Sequence, residues 1–199
     1  MIKREVLLIV GLGNPNKKYL NTYHNLGFLT AECLCSKLSD YCEKFGIKSK
    51  KEKSECRASS CEFKIFGKKI IIAKPSTYMN LSGKSVLAFK SKYSLDNKEI
   101  LLIADDYDLL IGTFRFRKIG SGGTHNGLKN IVETIGKNFP RIRIGIGREK
   151  TNCDEIKGNI EKINLANYVL TKFDDNSKKI FEEVIEKVTD FIIEKIIKL

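Results

Sequence analysis

The sequence predicts an α/β fold: one domain, residues 1–199, in three α/β/α layers around a central mixed sheet. Three observations predict it. Short apolar runs such as "EVLLIVGLG" and "EILLIAD" end abruptly in glycine or aspartate, as buried strands do. Between such runs, apolar residues recur at helical spacing. Finally, "ASSCEFKIF" and "KKIIIAKP" flank Gly67-Lys68 as a hairpin, so at least one strand pair is antiparallel and the sheet is mixed.

The elements follow in chain order. The apolar stretch in "MIKREVLLIVGLG" is too short for a signal-peptide core and lacks a small-residue cleavage pattern, so it reads as the first strand. A polar loop, "NPNKKYLNTY", leads into a helix marked by Leu26, Leu29, Cys33, Leu34 and Leu38. Residues 44–55 are charge-rich and read as exposed. After the hairpin, Ser82 is placed as the cap of a helix carrying Val86, Leu87 and Phe89. "EILLIAD" is a buried strand, and "TFRFRKI" alternates like a half-exposed one. A glycine loop precedes a helix with Leu128, Ile131, Val132 and Ile135, and "RIRIGIG" alternates again as a strand. The last helix is expected over residues 175–199. Ile180, Val184, Val188 and Phe191 form one stripe with Phe181, Ile185 and Ile192 beside it, a pattern for core packing.

Composition narrows the function classes. No apolar run approaches the ~20 residues needed to span a bilayer, which predicts a cytoplasmic protein with no membrane partner. Six cysteines without an export signal read as reduced thiols, mostly buried. Lys and Arg number 36 against 24 Asp and Glu, a net charge of +12. Such an excess favours a polyanionic partner through counterion release, although a solvated lysine surface accounts for it as well.

Polar residues able to do chemistry gather in four places: "GLGNPNKKY", "KPSTYMNLSG", "ADDYDL" and "GSGGTHNGLK". Three follow strands and one opens a helix, which suits the crevice at the carboxyl ends of strands in an α/β sheet. There is no G-x-S-x-G elbow, no completed G-x-G-x-x-G after Gly11 and no G-x-x-x-x-G-K-[ST] loop. What remains is histidine, aspartate and several asparagines. That set suits general-base catalysis with water as nucleophile: a neutral imidazole takes the proton, a carboxylate fixes its tautomer, and asparagine amides hold water or a peptide.

At these four clusters the sequence resembles bacterial-type peptidyl-tRNA hydrolase, in order and with suitable gaps over most of residues 6–148. "KPSTYMNLSG" together with "HNGLK" is the specific part; residues 149–199 carry no distinctive motif. The resemblance implies cleavage of the ester joining a peptide to the 3′ ribose of tRNA, with peptidyl-tRNA as partner, no metal or organic cofactor, and a monomeric enzyme. It implies His24 as the base and Asp106 as the carboxylate that orients it. It makes Asn14 a reader of N-blocked aminoacyl groups, Asn80 a holder of substrate and water, and Asn126 a substrate-binding residue. Tyr19 and Tyr78 fall at positions contacting the tRNA 3′ end or ester region, and His125 lies near the cleft in a secondary place.

Local sequence leaves other readings open for several of these residues. Asp105, Asp106 and Asp108 also suit a turn at a strand end, Asn14 a turn before Pro15, and Asn80 and Asn126 helix starts. Arg115, Arg117, Lys118, Lys129, Arg141 and Arg143 are candidates for phosphate contacts. Four departures from the family pattern stand out: Asn16, expected to take the left-handed turn of a usual glycine; Tyr23 in place of a frequent arginine; Thr124 in place of glycine; and Asp105 as the neighbour of the proposed Asp106. Two rival functions remain, a metal-dependent phosphoesterase built on His24, His125 and the aspartates, and a non-catalytic RNA-binding protein.

Overall fold

The first apolar run is strand β1, Val6–Gly11, and it lies at the centre of a seven-stranded sheet. A computed structural model describes residues 6–47, 49–147 and 164–197. The other strands are β2 (Ser49–Glu55), β3 (Ala58–Ile65), β4 (Lys68–Pro75), β5 (Ile100–Leu110), β6 (Phe114–Arg117) and β7 (Arg141–Gly147). Their spatial order is β2-β3-β4-β1-β5-β7-β6. The inner pairs β4-β1, β1-β5 and β5-β7 are parallel, while the flanking pairs are antiparallel. The sheet is therefore mixed, as the hairpin at Gly67 requires.

Side-chain alternation along the strands divides the interior into two cores. Ile9, Ile70, Ile72, Leu101, Ile103, Ile142 and Ile144 face one side, against helices α1 (Leu26–Lys44) and α5 (Asp175–Phe191). Leu8, Val10, Ile71, Ala73, Leu102 and Ala104 face the other, against α2 (Ser82–Tyr93) and α3 (Asn126–Ile135). These are the three layers. A short helix, α4 (Leu165–Val169), precedes α5. The parity of Leu102 and Ala104 against Leu101 and Ile103 matters below, because it carries on into the two aspartates.

The charged stretch read as exposed is largely exposed where its side chains are described, and within it lies β2, paired with β3 at the sheet edge. An edge strand with one face toward water needs no apolar run, and lysines there discourage pairing with other chains. Ser82 is not the cap of α2. Met79–Leu81 form a single 3₁₀ turn ahead of it, and the Ser82 hydroxyl donates to the Met79 carbonyl. On α5 the buried face is Phe181, Val184, Ile185 and Val188, with Ile180 left 37% exposed, so the stripe is shifted by one residue. α5 runs on into a π-helical segment, Ile192–Ile197. The five described cysteines are unpaired, but of these only Cys42 is fully buried; Cys153 lies outside the described residues.

Candidate active site

His24 owes its position to glycine. It lies in a 3₁₀ turn, Tyr23–Asn25, immediately before α1. The first turn of α1 crosses the end of β1 so closely that a Cβ on Gly27 would lie 2.4 Å from both the Ile103 carbonyl oxygen and the Leu12 nitrogen. A Cβ on Gly11 would come within 2.1 Å of the Gly27 carbonyl oxygen. Only bare backbone allows this approach, and it brings the start of α1 over the carboxyl end of β1 and over β5 at Ile103. Tyr23 anchors the turn from the other side. Its ring stacks on Tyr168 at 4.9 Å and meets Phe181 edge-on, so the residue in the frequent arginine position is a core aromatic.

The buried His24 ring is 2.8 Å from Asp105, Nδ1 to Oδ1. The carboxylate accepts, so Nδ1 carries the proton and Nε2 is left as the basic nitrogen of the neutral ring. This corrects the expectation that Asp106 would orient His24. Along β5 the side chains alternate. Asp105 shares the face of Leu101 and Ile103, over which α1 lies. Asp106 shares the face of Ala104 and turns to Arg143, whose Nη1 donates to it at 3.0 Å. Asp106 also accepts from the Asp108 backbone N–H at 3.0 Å, within β5 and where its register against β7 shifts, so the expected strand-end turn is not formed: β5 continues to Leu110.

Asp105 has a second partner. His125 lies buried at the N-cap of α3, and its Nε2 is 3.1 Å from the same Asp105 Oδ1. The two imidazole rings are 4.7 Å apart. Burial opposes the charge on Asp105, but attraction from His24 and His125 and the hydrogen bonds they donate outweigh it. The carboxyl is held well below its usual range. His24, Asp105, His125, Asp106, Asn126 and Arg143 line a cleft of about 200 Å³ that α4 helps to close.

Beside the cleft stands an asparagine pair that the sequence reading only half identified. Asn25 accepts the backbone N–H of Asn14 at 2.9 Å and donates to its carbonyl at 3.2 Å. The Asn14 side-chain oxygen accepts from Met79 N at 2.9 Å, which leaves its NH₂ group as the free donor end. Asn14 thus ties the first cluster to the "YMN" turn. Asn80 on that turn is exposed, as is Asn126 at the start of α3. Tyr78 is 50% exposed, and Tyr19 is half-buried under the Lys18 ammonium. Neither tyrosine lines the cleft. Asn16 is extended at φ −179° and caps the Lys17–Tyr19 turn through its side chain, so no left-handed turn is needed. Sequence reasoning gave Asn25 no role and gave Asp105 only the place beside Asp106; strand parity on β5 was the available signal for Asp105.

Among the basic candidates, Arg115, Arg117, Lys118 and Lys129 are exposed. Arg141 is not free to meet a phosphate. It is buried, donates to the carbonyls of Ser121, Lys137 and Phe139, and lies over the Phe139 ring. Burial, with the nearby Arg143 charge, lowers its pKa to about 10. Arg143 also donates to Ser121 O, so the two arginines pin the glycine loop ahead of α3.

His24, Asp105 and His125 are the set among the described residues whose ligating atoms lie within 4.8 Å of one another. Those atoms are aimed at each other, however. Asp105 Oδ1 receives both rings, and His125 Nδ1 accepts the Leu128 N–H at 3.1 Å. Metal binding here would have to give up these bonds.

Comparison with known proteins points the same way as the motifs. The family model described as peptidyl-tRNA hydrolase matches residues 8–198. A peptidyl-tRNA hydrolase of Rickettsia bellii is 42% identical over 185 residues, covering 93% of this chain and 90% of that protein. One from Clostridium perfringens is 39% identical over 190 residues, covering 95% and 90%. The crystal structure of an Arg119Gln mutant of peptidyl-tRNA hydrolase from Acinetobacter baumannii superposes with a TM-score of 0.78 at 33% identity, covering 98% of this chain and 90% of that one.

Proposed function

Because the chain belongs to the peptidyl-tRNA hydrolase family, and is a hydrolase, we propose that it cleaves the ester between peptide and tRNA with His24 as general base and Asp105 as its orienting carboxylate. The observation that carries this is the buried His24–Asp105 pair at the floor of the cleft, at 2.8 Å. His24 Nε2 takes a proton from water and the hydroxide attacks the ester carbonyl. The imidazolium, steadied by ionised Asp105, returns that proton to the departing 3′ oxygen of the ribose. The products are free tRNA and a peptide carboxylate.

The free NH₂ of Asn14 and the amide of Asn126 are suited to the peptide's carbonyls, and Asn80 to the attacking water. Tyr19 and Tyr78 offer ring surfaces for the terminal base. Exposed Arg115, Arg117, Lys118 and Lys129 bind phosphates as part of the +12 net charge. No helix among the described residues is long and apolar enough to cross a membrane. A cytoplasmic site of action follows from the substrate class.

The test is His24→Ala assayed on N-acetyl-aminoacyl-tRNA. Release of free tRNA is expected to fall by about 10⁴-fold or more, the scale for losing a base that works with its orienting group, while tRNA binding is retained. Near-normal turnover sinks the assignment.

A further inference from the structure

We infer that His125 is a positioning residue that acts on His24 through Asp105; the inference rests on His24 being the base. His125 cannot easily be a base itself, because both of its ring nitrogens are engaged. Nδ1 accepts the Leu128 N–H at 3.1 Å, so it bears no proton. The ring proton is therefore on Nε2, which faces Asp105 Oδ1 at 3.1 Å and donates to it. The α3 backbone thus selects the tautomer, and the tautomer selects the partner.

The consequence lies at one oxygen atom. Asp105 Oδ1 receives His24 Nδ1–H and His125 Nε2–H together. A carboxylate held by one donor swings about its χ2 bond; held by two, it keeps one orientation, and the imidazole that depends on it keeps its own. His125 lies at the end of the glycine loop, with its N–H donated to the Gly122 carbonyl at 3.3 Å. Seating of this loop and alignment of His24 are thereby one event. The two functions of His125, capping α3 and holding Asp105, are separable by substitution. Asparagine is among the best N-caps and supplies the acceptor for Leu128, but it is too short to hold Asp105 at the same time.

The experiment is His125→Asn, alone and combined with Asp105→Asn, in single-turnover assays with thermal melts alongside. For His125→Asn we expect kcat to fall about 10–100-fold, the range for outer partners that orient a functional imidazole. KM is expected to change little, and the melting temperature to hold because the cap is kept. In the Asp105→Asn background the same substitution is expected to cost nothing further. Normal kcat in His125→Asn overturns the inference and leaves His125 a cap. Losses that simply multiply in the double variant overturn it too, since His125 then acts independently of Asp105.

A ¹⁵N imidazole spectrum keeps the two readings apart. We expect His125 as the Nε2–H tautomer in the wild type and in His24→Ala, with its signals displaced in Asp105→Asn. An Nδ1–H tautomer, or signals indifferent to Asp105→Asn, overturns the inference whatever His24 does. Failure of the base assignment would show instead as turnover in His24→Ala.

Discussion

Two adjacent aspartates, one peptide unit apart, are expected to respond very differently to the same isosteric change. Asp105→Asn leaves volume intact but removes the charge on which two imidazole N–H groups converge, at 2.8 and 3.1 Å. The amide's own NH₂ competes for the same space, so His24 loses both its fixed tautomer and the counter-charge for its imidazolium. In a His–carboxylate pair that change lowers kcat by roughly 10³–10⁴-fold, or about 4–5 kcal/mol of barrier. Asp106→Asn removes a charge-assisted bond from Arg143 at 3.0 Å and keeps an acceptor for the Asp108 N–H. It is expected to lower folding stability by about 1.5–3 kcal/mol, with kcat reduced less than about tenfold. Release of tRNA under single-turnover conditions, read beside thermal melts, separates the two effects. If Asp106→Asn loses as much kcat as Asp105→Asn, the assignment of the orienting carboxylate is wrong.

Two other outcomes test the frame around the site. Gly27→Ala drives a Cβ to 2.4 Å from backbone atoms of β5 and of the loop after β1, atoms that have no room to retreat. Such overpacking is expected to destabilise by roughly 3 kcal/mol, or about 6–12 °C in melting temperature for a chain of this size; an unchanged melt refutes the close-approach argument. Glu55, nearly buried on β2, is held by Lys92, Lys53, Tyr93 and Ser60. Burial opposes its charge, but these partners win and lower its pKa from 4.5 to about 2. A depressed carboxyl stabilises the fold above its unfolded pKa and loses that contribution as pH falls through the folded one. The wild type should therefore lose stability between pH 4.5 and about 2, and Glu55→Gln should lose less over the same range. Equal slopes in acid melts would show the cluster to be inert.

Much of this architecture was legible because its signals are local. Apolar alternation in "RIRIGIG" and "TFRFRKI" depends on a chain's own geometry, so β6 and β7 lie where expected. Helical spacing did the same for α1 and α3. β2 was illegible for the opposite reason: "SKKEKSE" carries no apolar period, and its strand state comes from hydrogen bonds exchanged with β3. The frame of α5 slipped by one residue at Ile180 because a helix with apolar residues on adjoining stripes does not say which stripe meets the sheet.

The sequence by itself determined the α/β class, the mixed sheet and the four polar clusters with His24 among them, since periodicity and motif are written along one chain. Tertiary structure decided which atoms meet. It chose Asp105 over Asp106, buried Arg141 as a brace for the glycine loop, and closed a second histidine onto the same carboxylate oxygen. Sequence neighbours on a strand point to opposite faces, so one residue of register decides between partners on opposite sides of the sheet. That register becomes visible only when Gly27 has seated α1 against β1 and β5.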